Sequence, residues 1–109
     1  MGMPRWLGPA LKRIRALAEA GRVRFTLKAR RELAELGSGL DEEDARDVLA
    51  RLTARDSAGR LASASTGEWM FLFKPALGGV ALYLKLVLRD DCVVVSFHKD
   101  EGDDHEEGS

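Results

Sequence analysis

The sequence contains one cysteine (Cys92), one tyrosine (Tyr83) and two histidines, of which His105 lies close to the C-terminus. A single cysteine excludes an internal disulfide and a cysteine-based metal cluster, and fits a reducing compartment. Two histidines so far apart show no transition-metal ligand set. No apolar run approaches the ~20 residues of a membrane span. The opening Met1-Gly2-Met3-Pro4-Arg5-Trp6 lacks the pattern of a signal peptide, and Trp6 breaks the myristoylation pattern. The expectation is a cytoplasmic chain with no membrane contact, no metal and no small-molecule cofactor. Its 109 residues suffice for one domain with a two-layer core.

Net charge is only −1, yet charge is unevenly placed. Residues 1–31 hold nine Lys and Arg against one acid, Glu19, whereas residues 100–109 hold six acids and no Lys or Arg. Without that tail the body carries 17 basic and 12 acidic groups. Such a body suits a polyanionic partner, nucleic acid first, with Arg22, Arg24, Lys28, Arg30 and Arg31 as its basic surface. The plainer reading is a solvated charged helix. The tail has no apolar residue and reads as disordered, leaving residues 1–99 as the domain.

Residues 80–88 and 92–99 each have the length and β-branched content of a strand. A two-residue turn at Asp90-Asp91 places Tyr83 opposite His98, Lys85 opposite Ser96 and Val87 opposite Val94. Leu82, Leu84, Leu86 and Leu88 then share the other, nearly all apolar face with Lys99, Phe97, Val95 and Val93. The hairpin is greasy on one side and carries a phenol, an ammonium, a hydroxyl and an imidazole on the other. Residues 68–75 form a further strand, with Trp69, Phe71 and Phe73 directed to the core and Met70, Leu72 and Lys74 to the polar face. A four-residue loop, 76–79, pairs Phe71 with Leu84, Phe73 with Leu82, Met70 with Lys85 and Leu72 with Tyr83.

Upstream, Leu7, Leu11, Ile14 and Leu17 recur at helical spacing within residues 4–20, and Gly21 suits the helix C-terminus. Residues 23–26 read as a short edge strand. Thr26 caps a second helix to about Leu36, and Asp41 caps a third whose first turn holds Glu42, Glu43 and Asp44. Residues 53–67 lose periodicity and read as a polar loop or ragged strand. The expected class is α+β, an antiparallel sheet with three helices packed on one face.

Tyr83, Lys85, His98 and Ser96 include no carboxylate, and no acid in these strands can orient His98, so a Ser-His-Asp triad fails. The set suits RNA transesterification without metal. A base takes the 2′-hydroxyl proton, an acid protonates the leaving oxygen, and cations stabilise the phosphorane. His98 is the proton-transfer group, Lys85 the phosphate clamp, Tyr83 a hydrogen-bond or proton donor, and Arg60 of the preceding loop a second cation. A lone histidine at a strand end is more often an ordinary surface residue, and Tyr opposite His is a common cross-strand pair.

The segment Trp69…Phe73-Lys74-Pro75…Leu82-Tyr83-Leu84-Lys85-Leu86…Asp91-Cys92-Val93-Val94-Val95-Ser96-Phe97 resembles the C-terminal half of the MqsR family of toxin endoribonucleases. Ala20-Gly21-Arg22-Val23-Arg24, Glu35-Leu36-Gly37 and Leu52 extend the resemblance over most of residues 7–99. It implies a RelE-like fold, an mRNA-cleaving toxin and a cognate antitoxin partner. Tyr83 matches a family active-site tyrosine and Lys85 the lysine two residues on. His98 stands where the best-known member has a catalytic lysine, Met70 stands where it has a glutamine, and Arg60 is nearest to a family loop lysine. Arg22, Arg24, Lys28, Arg31, Met70 and Lys74 are the expected substrate-binding residues. The alternative is a non-catalytic RNA-binding or protein-interaction module on the same fold.

Overall fold

A computed structural model describes residues 2–37 and 39–101. The chain runs α1 (Leu7–Glu19), β1 (Val23–Phe25), α2 (Leu27–Glu35) and α3 (Glu42–Ala50). After a 3₁₀ turn (Ala54–Asp56) follow β2 (Ser57–Ala62), β3 (Trp69–Phe73), β4 (Ala76–Leu77), β5 (Val80–Leu88) and β6 (Cys92–Lys99).

Helix α1 buries Leu7, Ala10, Leu11, Ile14, Leu17 and Ala18, a stripe at three- and four-residue spacing. It begins at Leu7 rather than Pro4. Its chain reversal uses Gly21 at φ 75°, a conformation costly for a residue with a Cβ. Helix α2 is capped by Thr26, whose hydroxyl accepts from the Ala29 N–H at 3.1 Å. Helix α3 starts in a capping box, with the Asp41 and Asp44 side chains each accepting the other's backbone N–H. Arg15 of α1 donates to the Leu52 carbonyl at 2.8 Å and so ties α1 to the end of α3.

The sheet order is β1-β6-β5-β3-β2, with β4 pairing β5 beyond the end of β3. Strand β1 pairs with β6 in parallel, so the sheet is mixed and not wholly antiparallel as the sequence suggests. All other pairs are antiparallel. The aperiodic stretch contains a full edge strand, β2. Having few inward apolar residues, an edge strand leaves little alternation to read.

Between β5 and β6, Tyr83 meets His98 and Lys85 meets Ser96 as expected, but Val87 meets Val93 and not Val94. The turn is one residue longer than expected, with Arg89 N–H donating to the Asp91 carbonyl at 3.0 Å. A bulge at Val95 inserts the compensating residue on β6. Val94, fully buried, therefore takes the core position expected for Val95, and Val93 turns to the other face.

The β3–β5 register is also two residues away from expectation. Phe71 pairs with Leu86, Phe73 with Leu84, Met70 with Val87 and Leu72 with Lys85. The loop is not four residues but the pair Gly78-Gly79, at φ 59° and 82°, the positive values a tight hairpin turn needs. A shift of two preserves the faces.

The three helices cover the face bearing Phe71, Phe73, Leu82, Leu84, Leu86, Cys92, Val94 and Phe97. Trp69, expected within that core, sits at its rim and is 46% exposed. Residue Asp100, expected to open the disordered tail, is held: its N–H donates to the Ala81 carbonyl at 2.9 Å and its carboxylate lies 3.8 Å from Lys74 Nζ. The rest of the tail, residues 102–109, lies outside the described residues.

Replacing Phe73 or Phe97, both with no exposed surface, by alanine is expected to cost about 3–5 kcal/mol in denaturant unfolding. Trp69→Ala should cost clearly less. Burial pushes the Cys92 thiol up to about 12, so a thiol reagent should label it only as the protein unfolds.

Candidate active site

Strand pairing arranges the open face of the sheet in rows. One row is Leu61, Met70, Val87, Val93 and Arg24; the next is Gly59, Leu72, Lys85 and Ser96; the third is Tyr83 and His98. Leu72, Val87 and Val93 are buried although they lie outside the helix-covered core cluster. One end of the face is thus an apolar floor, and the other carries groups that can hold phosphate or move a proton.

The Tyr83 and His98 rings sit 5.2 Å apart, centroid to centroid, inclined by 35°. His98 Nδ1 lies 2.8 Å from the Lys99 carbonyl, which can only accept. A hydrogen bond there needs the proton on Nδ1, so that whenever the ring carries a single proton Nε2 is left as a base. Lys74 Nζ stands 6.0 Å from the Tyr83 ring centroid, beside Asp100. Lys85 projects from the same face two residues along β5 from Tyr83. Tyr83, Lys85 and His98 are all half-buried.

Helix α2 brings two further groups to this face. Lys28 Nζ donates to Ser96 Oγ at 2.7 Å and to Glu32 Oε2 at 2.8 Å. Glu32 Oε1 accepts the Phe97 N–H at 2.9 Å. Partial burial alone would raise the Glu32 carboxyl. The Lys28 hydrogen bond, the Phe97 N–H, and the Lys28 and His98 charges outweigh it and hold the group below its ordinary value. The absence of an acid in the strands is thus answered by a carboxylate from a helix. The only sequence signal for Glu32 was its i, i+4 spacing from Lys28, which occurs on any exposed helix.

Arg60 is not part of this arrangement. It pairs with Phe71 and so points to the helix side, where its guanidinium lies 3.8 Å from the Trp69 ring centroid and 4.9 Å from that of Trp6. Strand parity places it there, and parity was hidden while residues 53–67 read as a loop. Met70 shares the site's face but sits two rows from Tyr83, about 13 Å along the strands. Arg22 and Arg24 both lie against Asp91 at the β5–β6 turn, and Arg30 against Glu42. Arg31 is exposed on α2.

Residues 9–99 match the model of a protein family described as "Motility quorum-sensing regulator, toxin of MqsA". The chain belongs to this family. Among curated proteins there is no match. As an MqsR-family member the protein is a toxin of a toxin–antitoxin system. Among the described residues, no helix of this MqsR-family toxin is long and apolar enough to cross a membrane.

The depressed Glu32 carboxyl makes a stability prediction with a definite sign. A group whose folded value lies below its unfolded value stabilises fully above the latter, near 4.5, and stops doing so as pH falls through the folded value. Thermal midpoints measured against pH should fall less steeply below about 4.5 in Glu32→Gln than in the parent, and the two curves should run parallel at neutral pH.

Proposed function

We propose that this toxin is a metal-independent endoribonuclease that cuts single-stranded RNA, mRNA in the cell, and is neutralised by a cognate antitoxin such as the MqsA of the family description. The observation that carries the reading is the Tyr83–His98 ring pair, 5.2 Å between centroids, with Lys85 and Lys74 beside it on one sheet face.

In this reading His98 Nε2 takes the proton of the 2′-hydroxyl, whose oxygen attacks the adjacent phosphorus. The phosphorus–5′-oxygen bond breaks, leaving a 2′,3′-cyclic phosphate, and the departing oxygen takes a proton from the Tyr83 hydroxyl or from water. Lys85 holds the charge that builds on the phosphorane, with Lys74 and Lys28 at the margin of the same face. The apolar floor of Met70, Leu72, Val87 and Val93 accepts the neighbouring bases, and Arg24 and Arg31 draw the strand in. The chemistry asks nothing of a metal. Among the described residues no group of three His, Cys, Asp or Glu side chains could hold one.

Cleavage should survive EDTA, leave 2′,3′-cyclic or 3′-phosphate ends, and stop when the scissile nucleotide is deoxy. Strict Mg²⁺ dependence, or cutting of all-DNA substrate, would overturn the mechanism. His98→Ala, Tyr83→Ala and Lys85→Ala should each lower turnover by at least about a hundredfold with little change in thermal midpoint. Arg60→Ala, on the opposite face, should lower turnover far less. If His98→Ala still arrests growth when expressed, the protein acts as a binding module and not as a nuclease. Raising salt from 50 to 200 mM should weaken RNA binding steeply if the basic groups contact phosphates.

A further inference from the structure

Strand β6 changes neighbours part-way along. Residues Cys92 to Val94 lie between β1 and β5, but β1 ends at Phe25, and from Val95 onward no strand among the described residues flanks that side. Helix α2 runs there instead. Thr26 N–H donates to the Val94 carbonyl at 3.1 Å, and the Thr26 hydroxyl lies 3.3 Å from the Val95 carbonyl. One turn and a half further along α2, Glu32 takes the Phe97 N–H that a strand carbonyl would otherwise accept. That N–H belongs to the residue immediately before His98. Glu32 side-chain exposure is 18%, while its partner Lys28 is 60% exposed. The carboxylate is therefore the inner member of the pair, and Lys28 holds it from outside while also gripping Ser96.

Resting on the endoribonuclease reading above, we infer that Glu32 is a positioning residue of the active site: it completes the open edge of β6 at Phe97 and thereby holds His98 against Tyr83. It touches neither the reacting phosphate nor the 2′-hydroxyl. Proton transfer demands a heavy-atom approach of about 2.6–3.2 Å, and a displacement of about 1 Å can cost a hundredfold in rate. Near its end β6 is paired with β5 on one side only, and with no described strand on the other side such a displacement is easiest there. The Phe97 carboxylate bond removes it. Other charged groups around the imidazole are Glu35 of α2, Lys99 and Glu101 of its own segment, Lys74 near the Tyr83 ring, and Lys85 two residues along β5 from Tyr83. None of these has a hydrogen bond to the β6 backbone comparable to that of Glu32.

Two variants separate positioning from bulk stability. Glu32→Gln keeps an oxygen that can accept the Phe97 N–H; Glu32→Ala removes it. In Glu32→Ala, hydrogen exchange at the Phe97 amide should accelerate, and nuclear Overhauser contacts between the Tyr83 and His98 rings should weaken. RNA turnover should fall by about tenfold to a hundredfold with KM nearly unchanged. Glu32→Gln should restore exchange protection, ring contacts and most of the turnover. Unchanged exchange at Phe97, or unchanged ring contacts, in Glu32→Ala would overturn the inference. So would a lowered thermal midpoint accompanied by parental turnover well below that midpoint. The exchange and ring-contact arms need no RNA. If the parent cleaves nothing, the nuclease reading fails while the positioning of His98 by Glu32 is still decided.

Discussion

The bulge at Val95 and its attachment to Thr26 are what the rest of the molecule depends on. The β5–β6 turn is one residue longer than a two-residue hairpin, which would displace every cross-strand partner and exchange the two faces of β6. The extra residue at Val95 reverses that exchange for the last part of the strand. Below the bulge Val94 and Cys92 face the helices; above it Phe97 does, and Ser96 and His98 face outward opposite Lys85 and Tyr83. Thr26 touches this point from both sides, bonding the Val94 and Val95 carbonyls while its hydroxyl also accepts the Ala29 N–H that starts α2. The place where β1 gives way to α2 is thus the place where the register of β6 is corrected.

From that junction the division of labour follows. On the helix side the strands present Phe73, Leu84, Leu86, Val94 and Phe97, all with no exposed surface, and burial of this kind supplies most of the stability of a chain this size. The ion pairs contribute little by comparison. Arg22 and Arg24 at Asp91, and Arg30 at Glu42, involve side chains more than half exposed, where solvent and salt weaken attraction. They pin the β5–β6 turn and the α2–α3 approach without deciding either. Because the core lies on the other side of the sheet, groups on the open face are free to serve chemistry. They stand on paired strands, which hold a side chain more firmly than a loop does.

The open face also shows how a candidate site with one histidine among the described residues is assembled from ordinary parts. Tyr83 and Lys85 come from one strand at i, i+2 spacing, His98 from its neighbour, and Lys28 and Glu32 from a helix at i, i+4 spacing. Each pair is commonplace alone. Their convergence comes from the sheet register and from α2 lying along the uncovered edge of β6. Arg60 shows the same rule in reverse: a cation close in sequence to the strands is carried to the far side by strand parity and stacks on Trp69 and Trp6.

Local pattern by itself determined the three helices and their caps at Thr26 and Asp41, strands β3, β5 and β6, and a hairpin with a greasy and a polar side. These depend on the period of apolar residues and on side chains bonding backbone within a few positions, which a linear reading contains. The Tyr83–His98 pairing came from an assumed two-residue turn, and it holds because the longer turn and the bulge at Val95 offset each other. The β3–β5 register, the parallel pairing of β1, the strand character of residues 57–62, the rim position of Trp69, the placement of Arg60 and the arrival of Glu32 were decided only in the tertiary structure. Each depends on a partner 7 to 69 residues away, and no local sequence pattern specifies which backbone edge is left uncovered or which helix lies along it.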